Sequence, residues 1–148
     1  MLTRDEICRL IPHRDPFLWI DEIIEELSDG LVARKLISPD LDVFRGHYPG
    51  QPVLPGVLLC EAAMQAGAVL IARQREVAAS NLKVPVATRI NNVKFRRMVR
   101  PGDVLEIEVH LTDRISDAYF LTAKIKVAGK LVAQLEFACT LTESNEKH

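Results

Sequence analysis

Apolar and polar residues alternate along three stretches of the C-terminal half. Leu105, Ile107, Val109 and Leu111 alternate with Glu106, Glu108 and His110. Tyr119, Leu121, Ala123, Ile125 and Val127 alternate with Thr122, Lys124 and Lys126, and Leu131, Ala133, Leu135, Phe137, Cys139 and Leu141 repeat the pattern. A period of two is that of a half-buried strand with one wet face, so His110 is expected to face solvent. Turns are expected at Arg100-Pro101-Gly102-Asp103 and Ala128-Gly129. Residues 86–97 predict a weaker strand, in which Asn91-Asn92 breaks the alternation as a bulge would. Upstream, residues 17–25 are rich in Phe, Trp and Ile, and residues 31–37 follow the turn residues Ser28-Asp29-Gly30. Together they predict a hairpin. Residues 3–11 predict a short helix, with Thr3 as cap, Glu6 placed for a capping box and Pro12 as its stop.

Residues 57–72 show neither alternation nor a one-sided stripe. Val57, Leu58, Leu59, Cys60, Ala62, Ala63, Met64, Ala66, Ala68, Val69, Leu70, Ile71 and Ala72 are apolar and face every direction of a helix. A helix apolar all round is a buried one. It is expected to fray over 74–79 and to lead into a polar connection over 80–85. The order is then helix, two strands, long apolar helix, four strands. That predicts an α+β fold with one antiparallel sheet, whose apolar face finds its only large partner in the long helix. One domain over residues 1–148 is expected, ending in a polar, disordered tail over 143–148.

Composition changes this picture little. Apolar residues make up 48% and charged residues 26%, as in ordinary soluble proteins. A net charge of −1 gives no global attraction to nucleic acid or to an anionic membrane. Glu61 and Gln65 interrupt the apolar run, which favours a core helix over a membrane span. The first residues lack the apolar core of a signal peptide. Cys8, Cys60 and Cys139 are an odd, widely spaced set without metal-ligand spacing. They fit a reducing cytoplasm, and no metal or cofactor is expected. Cys60 should point about 100° around the helix from Glu61, into the core.

The chemistry concentrates in residues 46–65, which read Gly-His-Tyr-Pro-Gly-Gln-Pro-Val-Leu-Pro-Gly-Val-Leu-Leu-Cys-Glu-Ala-Ala-Met-Gln. The stretch opens as a loop whose path is fixed by Gly and Pro. It runs into the N-terminus of the apolar helix, where free N–H groups and the dipole favour developing negative charge. Glu61 and Gln65 share a helix face with Val57. A carboxylate on such a helix is costly unless it is neutral, paired or needed. Either His47 or Glu61 alone would read as an ordinary structural residue. A base, a carboxyl and an oxyanion site within one short stretch point to acid–base chemistry. His13, between Pro12 and Pro16, is a rival base; with no acid close to it in sequence, it reads as structural.

Gly46-His47-Tyr48-Pro49, Pro52, Pro55-Gly56-Val57-Leu58, Glu61-Ala62 and Gln65 resemble the signature of the β-hydroxyacyl-[acyl carrier protein] dehydratases of the FabZ type. The likeness extends to Leu10-Ile11-Pro12-His13-Arg14-Asp15-Pro16-Phe17-Leu18, to Phe95-Arg96-Arg97 and to Pro101-Gly102-Asp103, and so covers most of the chain. It implies the hotdog fold, a central helix wrapped by an antiparallel sheet, in agreement with the pattern.

The resemblance also implies dehydration of 3-hydroxyacyl thioesters. Neutral imidazole suits proton abstraction near pH 7, which makes His47 the base. A carboxyl on an apolar helix is expected to keep its proton, which makes Glu61 the acid. Gln65 would orient Glu61, and the N–H groups of Gly56 and Val57 would hold the thioester oxygen, with Gly56 allowing close approach. Family likeness implies that His47 of one subunit works with Glu61 of another, in a dimer or a trimer of dimers. It further implies an acidic carrier-protein partner, for which Lys94, Arg96, Arg97 and Arg100 form a basic cluster. Glu rather than Asp at position 61 resembles the FabZ branch rather than the dehydratase/isomerase branch. Tyr48 stands where the family usually has Phe, Met98 where Pro is common, and residues 83–88 lack the aromatic that gates the tunnel in some relatives. These departures bear on chain-length preference. A hotdog thioesterase and a non-catalytic acyl-binding protein share the fold, and the choice between primary fatty-acid synthesis and a dedicated lipid or polyene pathway stays open.

Overall fold

A computed structural model describes residues 1–75 and 83–143. The chain begins with helix α1 (Arg4–Leu10), closed at its start by the expected capping box. The Glu6 N–H donates to the Thr3 hydroxyl at 3.3 Å, while the Glu6 carboxylate accepts from the Thr3 N–H at 3.2 Å. Strands β1 (Glu22–Glu26) and β2 (Gly30–Leu36) form the hairpin. A single turn of 3₁₀ helix (Asp42–Arg45) leads to the central helix α2 (Gly56–Gln74). Strands β3 (Lys83–Phe95), β4 (Val104–Ile115), β5 (Ala118–Val127) and β6 (Lys130–Glu143) complete the fold. All six strands join one antiparallel sheet in the order β1-β2-β4-β5-β6-β3.

The inward members of each alternation make the core. Leu105, Ile107, Val109, Leu121, Ala123, Ile125, Leu135 and Phe137 are almost fully buried beneath Ala62, Ala63, Ala66, Val69 and Ile71 of α2. The small residues of α2 let it lie low on the sheet. At Gly67 the approach is close: a Cβ there would stand 2.7 Å from the ring of Phe137, itself almost fully buried. The length and apolarity of α2 would suffice to cross a bilayer, but most of it is buried within the chain, as expected of a core helix. Its less covered stripe carries Val57, Glu61 and Met64, with Val57 72% exposed.

Two expectations are corrected. Residues 17–21 do not join β1, which starts at Glu22. The side-chain amide of Gln65 takes the backbone groups that a neighbouring strand would otherwise take, as described below. Residues 83–85 are not a connection but the start of β3, with Pro85 opposite Leu141. A proline is tolerated there because β3 is the sheet edge, where half of the backbone N–H groups need no ladder partner. The bulge at Asn91-Asn92 is present: the register shifts between Asn91 and Lys94, and Asn92 has φ 52°. His110 is on the wet face as expected, with its Nε2 2.6 Å from the carboxylate of Glu108. That contact holds Glu108 below the usual carboxylate range. Glu143 still pairs with Lys83 at the end of β6. The rest of the expected tail, the fraying beyond residue 75 and the connection over 80–82 lie outside the described residues.

Candidate active site

His47 follows the 3₁₀ turn, and its N–H donates to the Val43 carbonyl at 3.1 Å. The Gly/Pro-rich loop then doubles back. Tyr48 takes φ 54° and Gly50 φ 93°, and the Gln51 N–H donates to the Tyr48 carbonyl at 3.0 Å. This return brings the Val53 carbonyl to 2.6 Å from His47 Nδ1. A carbonyl only accepts, so Nδ1 carries the proton and Nε2 of the neutral ring has a bare lone pair. Tyr48 stacks on the imidazole, with centroids 4.5 Å apart. The loop is moored at its far end by the Leu54 N–H on the Val99 carbonyl, 2.8 Å. Between these moorings opens a cleft of about 660 Å³, lined by Tyr48, Pro52, Val53, Met98, Arg100 and Pro101 among others.

Glu61 is held differently. Gln65 is 1% exposed and fully engaged. Its carbonyl oxygen accepts the Trp19 N–H at 2.7 Å, and its amide donates to the Phe17 carbonyl at 2.8 Å and to Glu61 Oε2 at 2.9 Å. Gln65 therefore makes the hydrogen bond expected between its amide and Glu61. Its burial inside its own chain also explains why residues 17–19 run along α2 rather than in the sheet. Glu61 itself is part-buried, its side chain 22% exposed.

His13 is the residue that sequence reasoning undervalued. Its Nε2 lies 3.7 Å from Glu61 Oε2. The acid that seemed missing is distant in sequence and adjacent in space. Arg14 fixes the segment by donating to the carbonyls of Cys8, Ile11 and His13, each at 2.7 Å, and so caps the end of α1. Burial pulls the His13 imidazole below its ordinary range, partly opposed by Glu61. By contrast, among the described residues no hydrogen bond or ion pair joins His47 to Glu61 within the chain.

The first-turn N–H groups of Gly56 and Val57 follow Pro55, which supplies no side-chain cap. The missing side chain of Gly56 serves a protein contact as well as any ligand: a Cβ there would stand 2.8 Å from the Phe95 ring. Cys60 is buried with its thiol pushed up by desolvation, and burial takes Cys139 to about 11, so both are core thiols. The basic cluster is split by the sheet. Lys94 lies on the outer face beside Asn92, Lys124, Gln134 and Glu136, whereas Arg100 lines the cleft by Tyr48. Arg96 and Arg97 are exposed in the segment after β3, with their N–H groups directed to the Val132 carbonyl. Among the described residues no cluster of His, Cys, Asp and Glu could hold a metal ion.

The FabA-like domain family matches residues 11–136. The chain belongs to that family and, within it, to the FabZ-type dehydratases. It is 42% identical over 136 residues to the 3-hydroxyacyl-[acyl-carrier-protein] dehydratase FabZ of Herpetosiphon aurantiacus, covering 90% of this chain and 94% of the relative. The FabZ of Geobacter metallireducens is 38% identical over 142 residues, 95% of this chain and 94% of the relative. Among solved structures, the dehydratase heterocomplex ApeI:P of Xenorhabdus doucetiae aligns with TM-score 0.76 at 19% identity, covering 95% of this chain and 91% of that one. A thioesterase of Haemophilus influenzae aligns with TM-score 0.69, also at 19% identity, over 100% of this chain and 96% of that one. Such distant likenesses establish the hotdog fold and nothing about chemistry.

Proposed function

We propose that the protein removes water from (3R)-3-hydroxyacyl thioesters borne on acyl carrier protein, giving trans-2-enoyl thioesters in fatty-acid biosynthesis. The observation that carries this reading is the tautomer imposed on His47: the Val53 carbonyl holds the proton on Nδ1, which leaves Nε2 as a base. Nε2 takes the proton from the α carbon, and the electron pair released forms the α–β double bond. The hydroxyl on the β carbon leaves with the proton of Glu61 as water. His47 ends protonated and Glu61 ionised, and proton exchange with solvent restores both. The N–H groups of Gly56 and Val57 stabilise the negative charge that builds on the thioester oxygen during abstraction.

A homodimer completes the site. Strand β3 is an open edge of 13 residues. Ile90 and Phe95 lie opposite the buried Phe137 and Ala133, on the helix-bearing side of the sheet, yet they are 43% and 53% exposed. The sheet therefore extends past the helix that covers it. Exposed apolar surface and an unpaired edge both favour a second copy, and a two-fold pairing brings each helix stripe against its mate. In that arrangement His47 of one chain serves Glu61 of the other. Assembly into a trimer of dimers and a cytoplasmic location belong to the same reading, the latter from three unpaired cysteines. Arg100 offers charge to an acidic carrier protein at the cleft, with the exposed Arg96 and Arg97 of the segment after β3 beside it in sequence, while Lys94 contributes only if the carrier reaches the outer face.

Incubation of the purified protein with a series of 3-hydroxyacyl carrier-protein thioesters tests the reaction. Enoyl thioester should form without release of free thiol. Stoichiometric thiol without enoyl product would assign a thioesterase instead.

A further inference from the structure

We propose that His13 is a positioning residue for Glu61: it holds one carboxyl oxygen against the protein wall and leaves the other to deliver the proton. The role rests on the dehydratase reading above. Two groups converge on Oε2 of Glu61, the amide of Gln65 at 2.9 Å and Nε2 of His13 at 3.7 Å. Oε1 has no partner among the described residues. An oxygen already accepting the Gln65 donor and facing His13 is a poor seat for the acidic proton, so that proton sits on Oε1.

The tautomer of His13 follows from its surroundings. Nδ1 is buried with no hydrogen-bond partner. A buried lone pair without a donor is less costly than a buried N–H without an acceptor. The neutral ring therefore carries its proton on Nε2, directed toward the carboxyl. The separation exceeds hydrogen-bond length, so the contact acts electrostatically and tightens once Glu61 ionises. The charged groups around the ring are Glu61 on α2 and Arg14 in its own segment, and the Arg14 guanidinium is turned to the carbonyls of Cys8 and Ile11. Burial, which keeps His13 neutral, makes it a fixed donor near neutral pH rather than a second cation. It cannot replace His47 as the base, because Nε2 is turned to Glu61 and Nδ1 is enclosed.

When Glu61 gives up its proton, the carboxylate forms opposite this donor. Removing the donor should disfavour the carboxylate and move its ionisation to higher pH. The test uses His13→Phe, which keeps a ring without a donor, and His13→Gln, whose amide nitrogen reaches about as far as Nε2. Titration of the Glu61 carboxyl carbon, followed by carbon-13 NMR in the intact oligomer, needs no turnover. The midpoint should rise by about half a pH unit or more in His13→Phe and return toward wild type in His13→Gln. With carrier-bound substrate, kcat of His13→Phe should fall about tenfold with KM little changed, and the alkaline limb of its pH profile should move up with the NMR midpoint. His13→Gln should recover most of the rate. An unmoved midpoint in a folded His13→Phe protein would overturn the proposal, as would equal loss of rate in both variants with the limb unmoved. A moved midpoint in a protein that forms no enoyl product would uphold the contact and sink the dehydratase reading instead.

Discussion

Glu61 projects from a buried helix, and both groups against its carboxyl, Gln65 and His13, come from its own chain. His47 projects from a loop shaped by Gly and Pro, and its ring is held by the Val53 carbonyl and the stacked Tyr48 of that same loop. Glu61 is thus oriented by Gln65, one turn along the same helix, and by groups distant in sequence: His13, and the backbone of Phe17 and Trp19 that fixes Gln65. His47 is oriented entirely by its own loop, through Val53 and Tyr48. Each half is pre-organised, and among the described residues no hydrogen bond or ion pair joins the two. A chain can fix the tautomer of His47 and the carboxyl orientation of Glu61 by separate sets of contacts.

The sharpest break is removal of either partner. His47→Ala and Glu61→Gln should each lower kcat by at least about a hundredfold while leaving a folded oligomer, because each deletes a positioned base or acid. Steady-state kinetics on carrier-bound substrate, with size-exclusion chromatography as the control for assembly, checks this. Near wild-type turnover in either variant would remove the mechanism.

Whether the halves meet across subunits is tested by mixing. Inactive His47→Ala and Glu61→Ala chains, once subunits have exchanged, form hybrids with one intact site and one doubly damaged site. Random reassortment should restore about a quarter of wild-type activity, by counting sites under two-fold symmetry. No recovery after exchange confirmed by mass spectrometry would return both residues to a single chain.

The anchoring of the acid is sharpened by Gln65→Leu. That change strands the Trp19 N–H and the Phe17 carbonyl and frees one side of the Glu61 carboxyl. Stability to urea should drop by about 2 kcal/mol, the usual cost of leaving buried backbone groups unpaired. The rate constant should fall as well, while the His47 loop, which shares none of these bonds, keeps its geometry. A variant as stable as wild type would show that the fork around Gln65 contributes little.

The smallest effect concerns the exposed basic segment after β3. Arg97→Glu should raise KM severalfold for carrier-bound substrate at low salt and leave a small thioester analogue unaffected. Added salt should erase the difference, since exposed charges are screened over about 8 Å at physiological ionic strength. Equal salt sensitivity for both substrates would count against a steering role.

Much of this was legible in the chain. The three alternating strands appear where the period of two placed them, because the pleat and the core demand the same alternation. The capping box at Thr3 and Glu6, the bulge at Asn91-Asn92 and the buried α2 were local or compositional signals, and local physics decided them. The contact between Glu61 and Gln65 was legible too, since the two stand one turn apart on one helix. What the tertiary structure alone decided were relations between distant residues. Phe17 and Trp19 carry strand-forming side chains, yet Gln65, far along the chain, takes their backbone groups. Pro85 read as the end of a connection that opens with Ser80, Asn81 and Lys83, and only its place at the sheet edge admits it to a strand. His13 looked structural because no acid lies near it in sequence; the cap that Arg14 places on α1 and the fork of Gln65 carry it to Glu61. Sequence patterns record what a residue needs from its neighbours along the chain, and proximity created by packing leaves no periodic trace there.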